Sequence, residues 1–363
     1  MFIINVYIYK DDVMKANSII KKSLLSSIFF VILVVIVFYF IFKETAFKDV
    51  ILIFQKSNKT FIFFGILCMF FYNLLEGLNV KIVLNSLGNK IKLSKCYKYA
   101  VGAFFTASIT PSSSGGDPMA FYLMTKDKIP VSHSAITLFT KLMVYQFVMI
   151  MLASISFFTS YKQIITTLGN FKYLVFLGLF LNILVFTLYF LIVFFKQIII
   201  FIVEIIGKVL NKFHYKKTSE LQKKINLQIE EYSKSATILK TNKKIILKCI
   251  LTTLMQIILI FSIPYFVYLA LGYQDTSIFK FITTQAVLNI TVSALPFPGA
   301  VGISEAIFMK LYKNLFNPNV LGSAMFITRF INFYLFVIYT GILLAIFIIK
   351  DNLKKAKERV KAV

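Results

Sequence analysis

The sequence predicts an all-α polytopic membrane protein, and two observations indicate this fold class. Of the 363 residues, 58% are hydrophobic and only 15% are charged, and the mean hydropathy is +0.80. A soluble domain is about 45–50% apolar and about 25% charged. The apolar residues also gather into stretches of about 20, the length that crosses the hydrocarbon core of a bilayer as a helix. Composition therefore excludes both an ordinary soluble globule and a disordered chain.

Six apolar stretches are long enough to form full spans. They are residues 24–42, 60–80, 133–158, 171–195, 247–271 and 320–349. Two further stretches, 97–124 and 278–316, are apolar but are interrupted by Thr110–Pro118 and by Leu295–Gly302. Because proline lacks an amide donor and glycine loosens the backbone, neither continues as one straight helix. We therefore expect about eight hydrophobic segments, namely six spans and two re-entrant or broken helical hairpins.

The basic residues between these stretches predict sidedness. If both hairpins return to their side of entry, the loops on one side hold 29 Lys and Arg and the loops on the other hold 7. The positive-inside rule places the richer side in the cytoplasm, so we predict a multi-pass protein of the plasma membrane with both termini cytoplasmic. The basic residues behind the net charge of +25 then determine the topology and contact anionic phospholipids. We expect no direct nucleic-acid partner.

This topology divides one membrane domain, residues 1–363, into two inverted halves. Residues 24–158 contain two spans, a hairpin and a third span, and residues 171–349 repeat that order from the opposite side. A Gly/Pro-broken segment at the same place in each half is typical of a transporter with its site between the repeats. The cytoplasmic connector 208–244 has an amphipathic pattern, which predicts a helix that lies on the inner leaflet or caps the bundle.

Ionisable side chains within the apolar stretches predict a polar cavity. A charge at the bilayer centre costs about 2.5–3.5 kcal/mol on insertion scales, so it needs a partner or water. Glu76 lies in the second span, Lys141 in the third, Glu305 after the second break and Arg329 in the last span. Charges of both signs near the breaks favour a cavity over isolated contacts between helices.

The first break has residues that suit a phosphate group. We expect Asp117 to cap a returning half-helix that has Pro118 at its first position. The N-terminal amides of such a helix attract phosphate, and irregular backbone at membrane depth has to line water or be buried in protein. The predicted cavity is amphoteric, with cations for a phosphate and carboxylates for an amine. These side chains are Lys141 and Arg329 for the phosphate, and Asp117, Glu76 and Glu305 for the amine.

The two breaks also resemble signatures of a known family. Residues Ile109–Met119, ITPSSSGGDPM, are similar to the "TPS-x-x-GG-x-P" signature of the lysylphosphatidylglycerol synthase transmembrane (flippase-like) family. Residues Pro296–Glu305, PFPGAVGISE, resemble its "P-x-PGG-x-G-x-SE" signature, with Ala300 where the family usually has a second glycine. Thr328–Phe330 matches the membrane arginine of the family, and Glu76–Lys81 is similar to members from low-GC Gram-positive bacteria. The resemblance spans nearly the whole chain.

The resemblance implies a flippase-type membrane domain with a headgroup site at these motifs. We predict no catalytic residue, no metal and no cofactor. The predicted substrate-binding residues are Thr110, Pro111, Ser113, Gly115, Gly116, Asp117, Lys141, Pro298, Gly299, Ser304, Glu305, Arg329 and Glu76.

Three functions follow from the sequence, and the leading one is translocation of a phospholipid headgroup, such as that of lysylphosphatidylglycerol, between leaflets. The alternative is a phosphatidylglycerol lysyltransferase, or its membrane component, that uses lysyl-tRNA, because full-length members carry a cytoplasmic acetyltransferase-like domain. No soluble stretch here is large enough for that domain, so we expect no catalysis by this chain alone and a separate lipid-modifying enzyme as a partner. The third is a transporter of organic anions or other solutes. The oligomeric state is left open.

Overall fold

A computed structural model describes residues 47–110, 113–169, 172–195, 197–201, 205, 219–293 and 302–361. The chain separates into two compact units, residues 1–52 and 53–363. The first unit is described only from residue 47, and every contact discussed below lies within the second. The predicted span 24–42 and the site residues Pro111, Pro298 and Gly299 lie outside the described residues.

The described secondary structure is helical, and no β-strand occurs in the described ranges. A π-helical turn, Phe330–Tyr334, joins the last two helices. The helices are α1 (Phe47–Lys56), α2 (Lys59–Ser86), α3 (Leu93–Ile109), α4 (Gly116–Lys126), α5 (Val131–Leu168), α6 (Lys172–Phe194), α7 (Ser219–Thr241), α8 (Lys243–Phe261), α9 (Ile263–Ala270), α10 (Ile278–Ser293), α11 (Ile303–Leu311), α12 (Pro318–Arg329) and α13 (Leu335–Lys361).

Five helical segments are long and apolar enough to cross a membrane. They are Lys59–Ser86, Val131–Thr159, Lys172–Phe194, Lys243–Ala270 and Pro318–Asp351. Large apolar side chains such as Phe158 and Phe180 are exposed on these helices, whereas Asn73 and Thr137 are fully buried. The exposed surface of these helices differs from that of a soluble protein, because lipid solvates apolar side chains and cannot hydrogen-bond to polar groups. The chain is therefore a polytopic helical membrane protein, and five predicted spans are confirmed as helices.

Both interrupted stretches contain two helices each, α3 with α4 and α10 with α11. The arms α3 and α4 pack against each other, and a Cβ on Gly116 would lie 3.0 Å from the carbonyl oxygen of Ala103. The prediction of Asp117 as the N-cap is wrong by two residues, because α4 begins at Gly116 with Gly115 as its N-cap. The hydroxyl of Thr110 accepts a 2.9 Å hydrogen bond from the amide of Gly115, which closes the turn before Asp117.

The two broken segments have reciprocal neighbours. Helix α3 packs against α13, the last part of the final span, and α10 packs against α5, the span that follows the first broken segment. Helices α2 and α8 pack side by side and have the most extensive interface of the described helices. Each broken segment therefore lies against the last span of the other predicted half.

The amphipathic connector packs against the bundle. In α7, Tyr232 and Leu239 are buried, and the hydroxyl of Tyr232 donates a 3.0 Å hydrogen bond to the carbonyl of Ile192 at the end of α6. At the start of α5, the Ser132 hydroxyl donates a 2.6 Å hydrogen bond to Glu231. These contacts favour the prediction that the helix caps the bundle over the prediction that it lies on the inner leaflet.

Candidate functional site

Three charged side chains from different helices form an acid–lysine cluster, defined as Glu76, Asp117 and Lys141. The ammonium of Lys141 on α5 lies 2.7 Å from Glu76 Oε1 on α2 and 2.8 Å from Asp117 Oδ1 in the first turn of α4. The Lys141 side chain is 11% exposed. One buried lysine therefore connects the broken segment to two spans.

Polar side chains of α8 extend this cluster towards the second interrupted stretch. The amide of Gln256 donates a 2.8 Å hydrogen bond to the second carboxylate oxygen of Glu76. Asn79, one turn after Glu76, donates a 3.0 Å hydrogen bond to the hydroxyl of Thr253 and a 3.4 Å bond to Gln256. Gln256 and Thr253 are nearly fully buried. The site predictions omitted these α8 partners because the identity of the neighbouring helix is a tertiary property.

A second group of polar residues forms an acid–arginine cluster, defined as Gly302, Ser304, Glu305 and Arg329. The guanidinium Nε of Arg329 donates a 2.8 Å hydrogen bond to Glu305 Oε1. The other oxygen, Oε2, accepts from the amide of Gly302 at 2.6 Å and from the hydroxyl of Ser304 at 2.9 Å. Gly302 has a φ of +87°, which a side chain rarely tolerates. Glu305 is therefore fixed at the N-terminus of α11 and held against the last span.

The two clusters share one arrangement. In each, a carboxylate lies in the first turn of the short returning helix and pairs with a cation 24 residues later on the following span. A carboxylate at a helix N-terminus is stabilised by the partial positive charge of the helix dipole. The guanidinium of Arg329 also lies over the ring of Phe333, 5.0 Å from the ring centroid. Phe333 belongs to the π-helical turn, and π-helical turns often occur at functional sites.

Some buried polar atoms without a described hydrogen-bond partner belong to residues close in sequence to the charged members of the clusters. They are Asn73 Oδ1, three residues before Glu76, Thr140 Oγ1, next to Lys141, and Thr328 Oγ1 and Asn332 Oδ1, next to and three residues after Arg329. Leaving such an atom unsatisfied costs about 1–3 kcal/mol. Water or ligand atoms at these positions would remove that cost.

The remaining predicted site residues have different environments. Ser304 is buried in the second cluster, whereas Ser113 is exposed and has a φ of +56°. Thr110 and Gly115 hydrogen-bond to each other, and Gly116 is buried against α3. The structure therefore brings Glu76, Asp117 and Lys141 together, and separately Ser304, Glu305 and Arg329.

A third charged group, which the sequence analysis missed, joins the first broken segment to the last helix. We call it the Lys98–Asp127 network. Lys98 on α3 contacts Asp127 after α4 at 3.1 Å and Asp351 on α13 at 3.2 Å. The hydroxyl of Tyr99 donates a 2.7 Å hydrogen bond to Asp127. Its signal in the sequence was weak, since these residues lie at segment ends where charges are common.

The pKa of Asp127 follows from these contacts. Burial would raise the pKa of this carboxyl, but the hydrogen bonds from Tyr99 and Lys98 and the charges of Lys98 and Lys95 outweigh burial. The pKa of Asp127 therefore lies below its ordinary value of 3.8. Asp127 is therefore ionised at neutral pH, and the network holds the start of α3 and the end of α4 against α13.

The two clusters can exchange partners with an incoming charged group. With all five side chains ionised, three carboxylates face two cations, so the formal charge is −1. Both cations already have carboxylate partners, so a phosphate at Lys141 or Arg329 would compete with a carboxylate for the same charge. An amine that accompanies the phosphate would give the displaced carboxylate a new partner.

The sequence matches a known family model and a curated relative. The family model described as lysylphosphatidylglycerol synthase TM region matches residues 24–339. A UPF0104 membrane protein of Archaeoglobus fulgidus is 27% identical over 325 residues, which cover 87% of this chain and 95% of that protein. The residues matched by the family model include the two broken segments and both charge clusters.

Proposed function

The chain belongs to the lysylphosphatidylglycerol synthase TM region family, and from this membership we propose that it moves a phospholipid headgroup between the leaflets of the membrane. The observation that carries the proposal is the pair of charge clusters, in which Glu305 is buried and the other charged side chains are partly buried, each at the start of a short helix that follows a break. Buried charges are costly within a bilayer and commonly mark substrate pathways. The proposed substrate class is a lipid with a phosphate and at least one amine.

Exchange of ion pairs explains why the cations are occupied in the absence of substrate. An unpaired buried cation carries a desolvation penalty of several kcal/mol, which Glu76, Asp117 and Glu305 reduce. A zwitterionic headgroup replaces one set of ion pairs by another and leaves the formal charge of the clusters at −1, whereas a headgroup with a net charge of +1 neutralises it. A purely anionic solute would displace carboxylates without giving them a cation, which disfavours an organic-anion transporter.

Two inverted repeats would provide the movement. In this proposal, residues 24–158, which include α2 to α5, form one repeat, and residues 171–349, which include α6 and α8 to α12, form the other. Support comes from the reciprocal packing of α3 on α13 and α10 on α5, and from the shared 24-residue spacing of the ion pairs. Rocking one repeat against the other would expose the clusters alternately to each leaflet.

The test is lipid translocation in reconstituted vesicles. The purified chain is placed in vesicles that contain labelled phosphatidylglycerol, phosphatidylethanolamine or lysylphosphatidylglycerol, and the outward-facing fraction is followed over time. We expect faster translocation of the two amine-bearing lipids. Lys141→Gln and Arg329→Gln should each slow translocation at least tenfold. The matched control is Lys313→Gln, which removes a charge from an exposed lysine.

Two outcomes would contradict the proposal. One is translocation that equals protein-free vesicles for all three lipids. The other is translocation that Lys141→Gln and Arg329→Gln reduce no more than Lys313→Gln does. A parallel assay for lysyl-tRNA-dependent labelling of phosphatidylglycerol tests the alternative, since labelling by the purified chain would identify a lysyltransferase.

A further inference from the structure

An apolar groove lies between α5, α6 and α8, and none of its lining residues belongs to either charge cluster. Its volume is about 490 Å³, and phenylalanines supply much of its wall, including Phe147 on α5 and Phe186 and Phe190 on α6. Phe147 and Phe190 are each 40% exposed, so the groove opens to the outer surface of the helices. That surface contacts acyl chains in a membrane, so an acyl chain can enter the groove directly.

One end of the groove is positively charged. Lys240 in the last turn of α7 and Lys243 at the start of α8 line it there, and both are exposed. Within the described ranges, no carboxylate lies within ion-pair distance of either ammonium. Two lysines at the mouth of an otherwise apolar groove complement a molecule with a negative head and a hydrocarbon tail.

The length of the groove fits one leaflet. Along α6 it extends from Phe186 to Phe195, which is about 14 Å at 1.5 Å per residue. The hydrocarbon core of one leaflet is about 15 Å thick, half of the bilayer core. An acyl chain could therefore occupy the groove along its whole length while its headgroup stays at the lysine end.

We infer that this groove is a binding site for an anionic glycerophospholipid. One acyl chain lies between α5, α6 and α8, and the phosphate lies beside Lys240 and Lys243. The inference goes beyond the proposed function, because this site is basic and apolar whereas the charge clusters carry a net negative formal charge. The inference is tested by lipid binding, whereas the proposed function is tested by lipid translocation. Either one can therefore fail without the other.

The absence of tryptophan from the sequence allows a direct test. Phe190→Trp places one fluorophore in the groove, and Phe180→Trp places one on the same helix at a position that does not line the groove. Each variant is reconstituted in phosphatidylcholine that contains a small fraction of either brominated phosphatidylglycerol or brominated phosphatidylcholine. Bromine atoms on an acyl chain quench a nearby tryptophan, so quenching reports which lipid occupies the groove.

We expect the groove reporter to prefer brominated phosphatidylglycerol about tenfold over brominated phosphatidylcholine, and the Phe180→Trp reporter to show little preference. Lys240→Gln with Lys243→Gln should abolish the preference at the groove. Lys244→Gln with Lys248→Gln is the matched control, since both residues are exposed on α8 and neither lines the groove. This control pair should leave the preference intact.

Three results would overturn the inference. Equal preference at the two reporters would identify general enrichment of anionic lipid around the protein. An unchanged preference after Lys240 and Lys243 are replaced would remove the proposed headgroup contact. An equal loss in the Lys244 and Lys248 control would show that only the total charge of this surface matters.

Discussion

At the scale of single residues, the charged side chains of the two clusters are held by specific partners. Lys141 has two carboxylates, and Glu305 has a guanidinium, a backbone amide and a hydroxyl. Such ion pairs contribute little net stability compared with apolar residues of the same volume, but removing one partner is strongly destabilising. Because a pair contributes little but a lone charge costs much, one partner can be exchanged for another at little cost. For the same reason, a variant that removes one partner should be clearly less stable.

The acid–arginine cluster gives the first prediction. Glu305→Gln removes the carboxylate from Arg329, and we expect a loss of about 3 kcal/mol in the free energy of unfolding. The double variant with Glu305→Gln and Arg329→Gln should lose less than the single variant, because no buried charge then lacks its counter-charge. Denaturation of the purified protein in detergent measures both, with Lys313→Gln as the control. A double variant that loses the sum of the single losses would contradict this view.

The pH dependence of Asp127 gives the second prediction. Its pKa is lower in the folded protein than in the unfolded chain, so its contribution to stability is complete above about pH 4 and is lost as the pH falls through the folded pKa. At pH 7, Asp127→Asn should cost about 2 kcal/mol, the usual value for hydrogen bonds to a charged group. Melting temperatures in detergent at pH 7 and pH 3 should therefore differ more for the wild type than for the variant. Equal differences would show that Asp127 is not linked to stability.

At the scale of helices, glycines determine how closely the apolar segments approach. The backbone of α6 at Gly178 lies so near the carbonyl of Ile290 on α10 that a Cβ would overlap the oxygen. By contrast, a Cβ on Gly65 of α2 would make ordinary contacts with the side chains of Ile331, at 3.4 Å, and Ile263, at 3.9 Å. In membranes, small residues allow van der Waals contact between helices where no hydrophobic effect drives association.

These two glycines form a matched pair for the third prediction. Gly178→Ala should separate α6 from α10 and lower the free energy of unfolding by about 1–3 kcal/mol. Gly65→Ala should be neutral or stabilising, since alanine favours a helix by about 1 kcal/mol over glycine. Thermal unfolding of both variants in one detergent provides the measurement. The packing argument fails if Gly178→Ala is as stable as Gly65→Ala.

At the scale of the whole molecule, the uneven distribution of basic residues predicts which ends of the helices face the cytoplasm. Lys92 before α3 and Asp275 before α10 lie in loops that the charge distribution assigns to opposite sides, and both are exposed. The three native cysteines are buried, so they provide a low background for labelling.

The fourth prediction uses these two loops. In intact cells, a membrane-impermeant maleimide should label Asp275→Cys, and it should label Lys92→Cys only after permeabilisation. The wild-type protein, with Cys68, Cys96 and Cys249 alone, is the background control. If Lys92→Cys is labelled in intact cells and Asp275→Cys is not, the orientation is inverted. Labelling of both from one side would contradict the hairpin topology.

The sequence was enough to identify five spans, both interruptions and all five charged members of the two clusters. Hydrocarbon tolerates only long apolar helices and few charges, so each Glu, Lys or Arg within a span is conspicuous in the sequence.

The pairing of those charges was not predictable. The sequence analysis assigned Lys141 and Arg329 to a phosphate, whereas the structure pairs both with carboxylates from other segments. The start of α4, the α8 partners of Glu76 and the lysine-flanked groove likewise required the fold, because contacts between distant segments depend on which helices pack together.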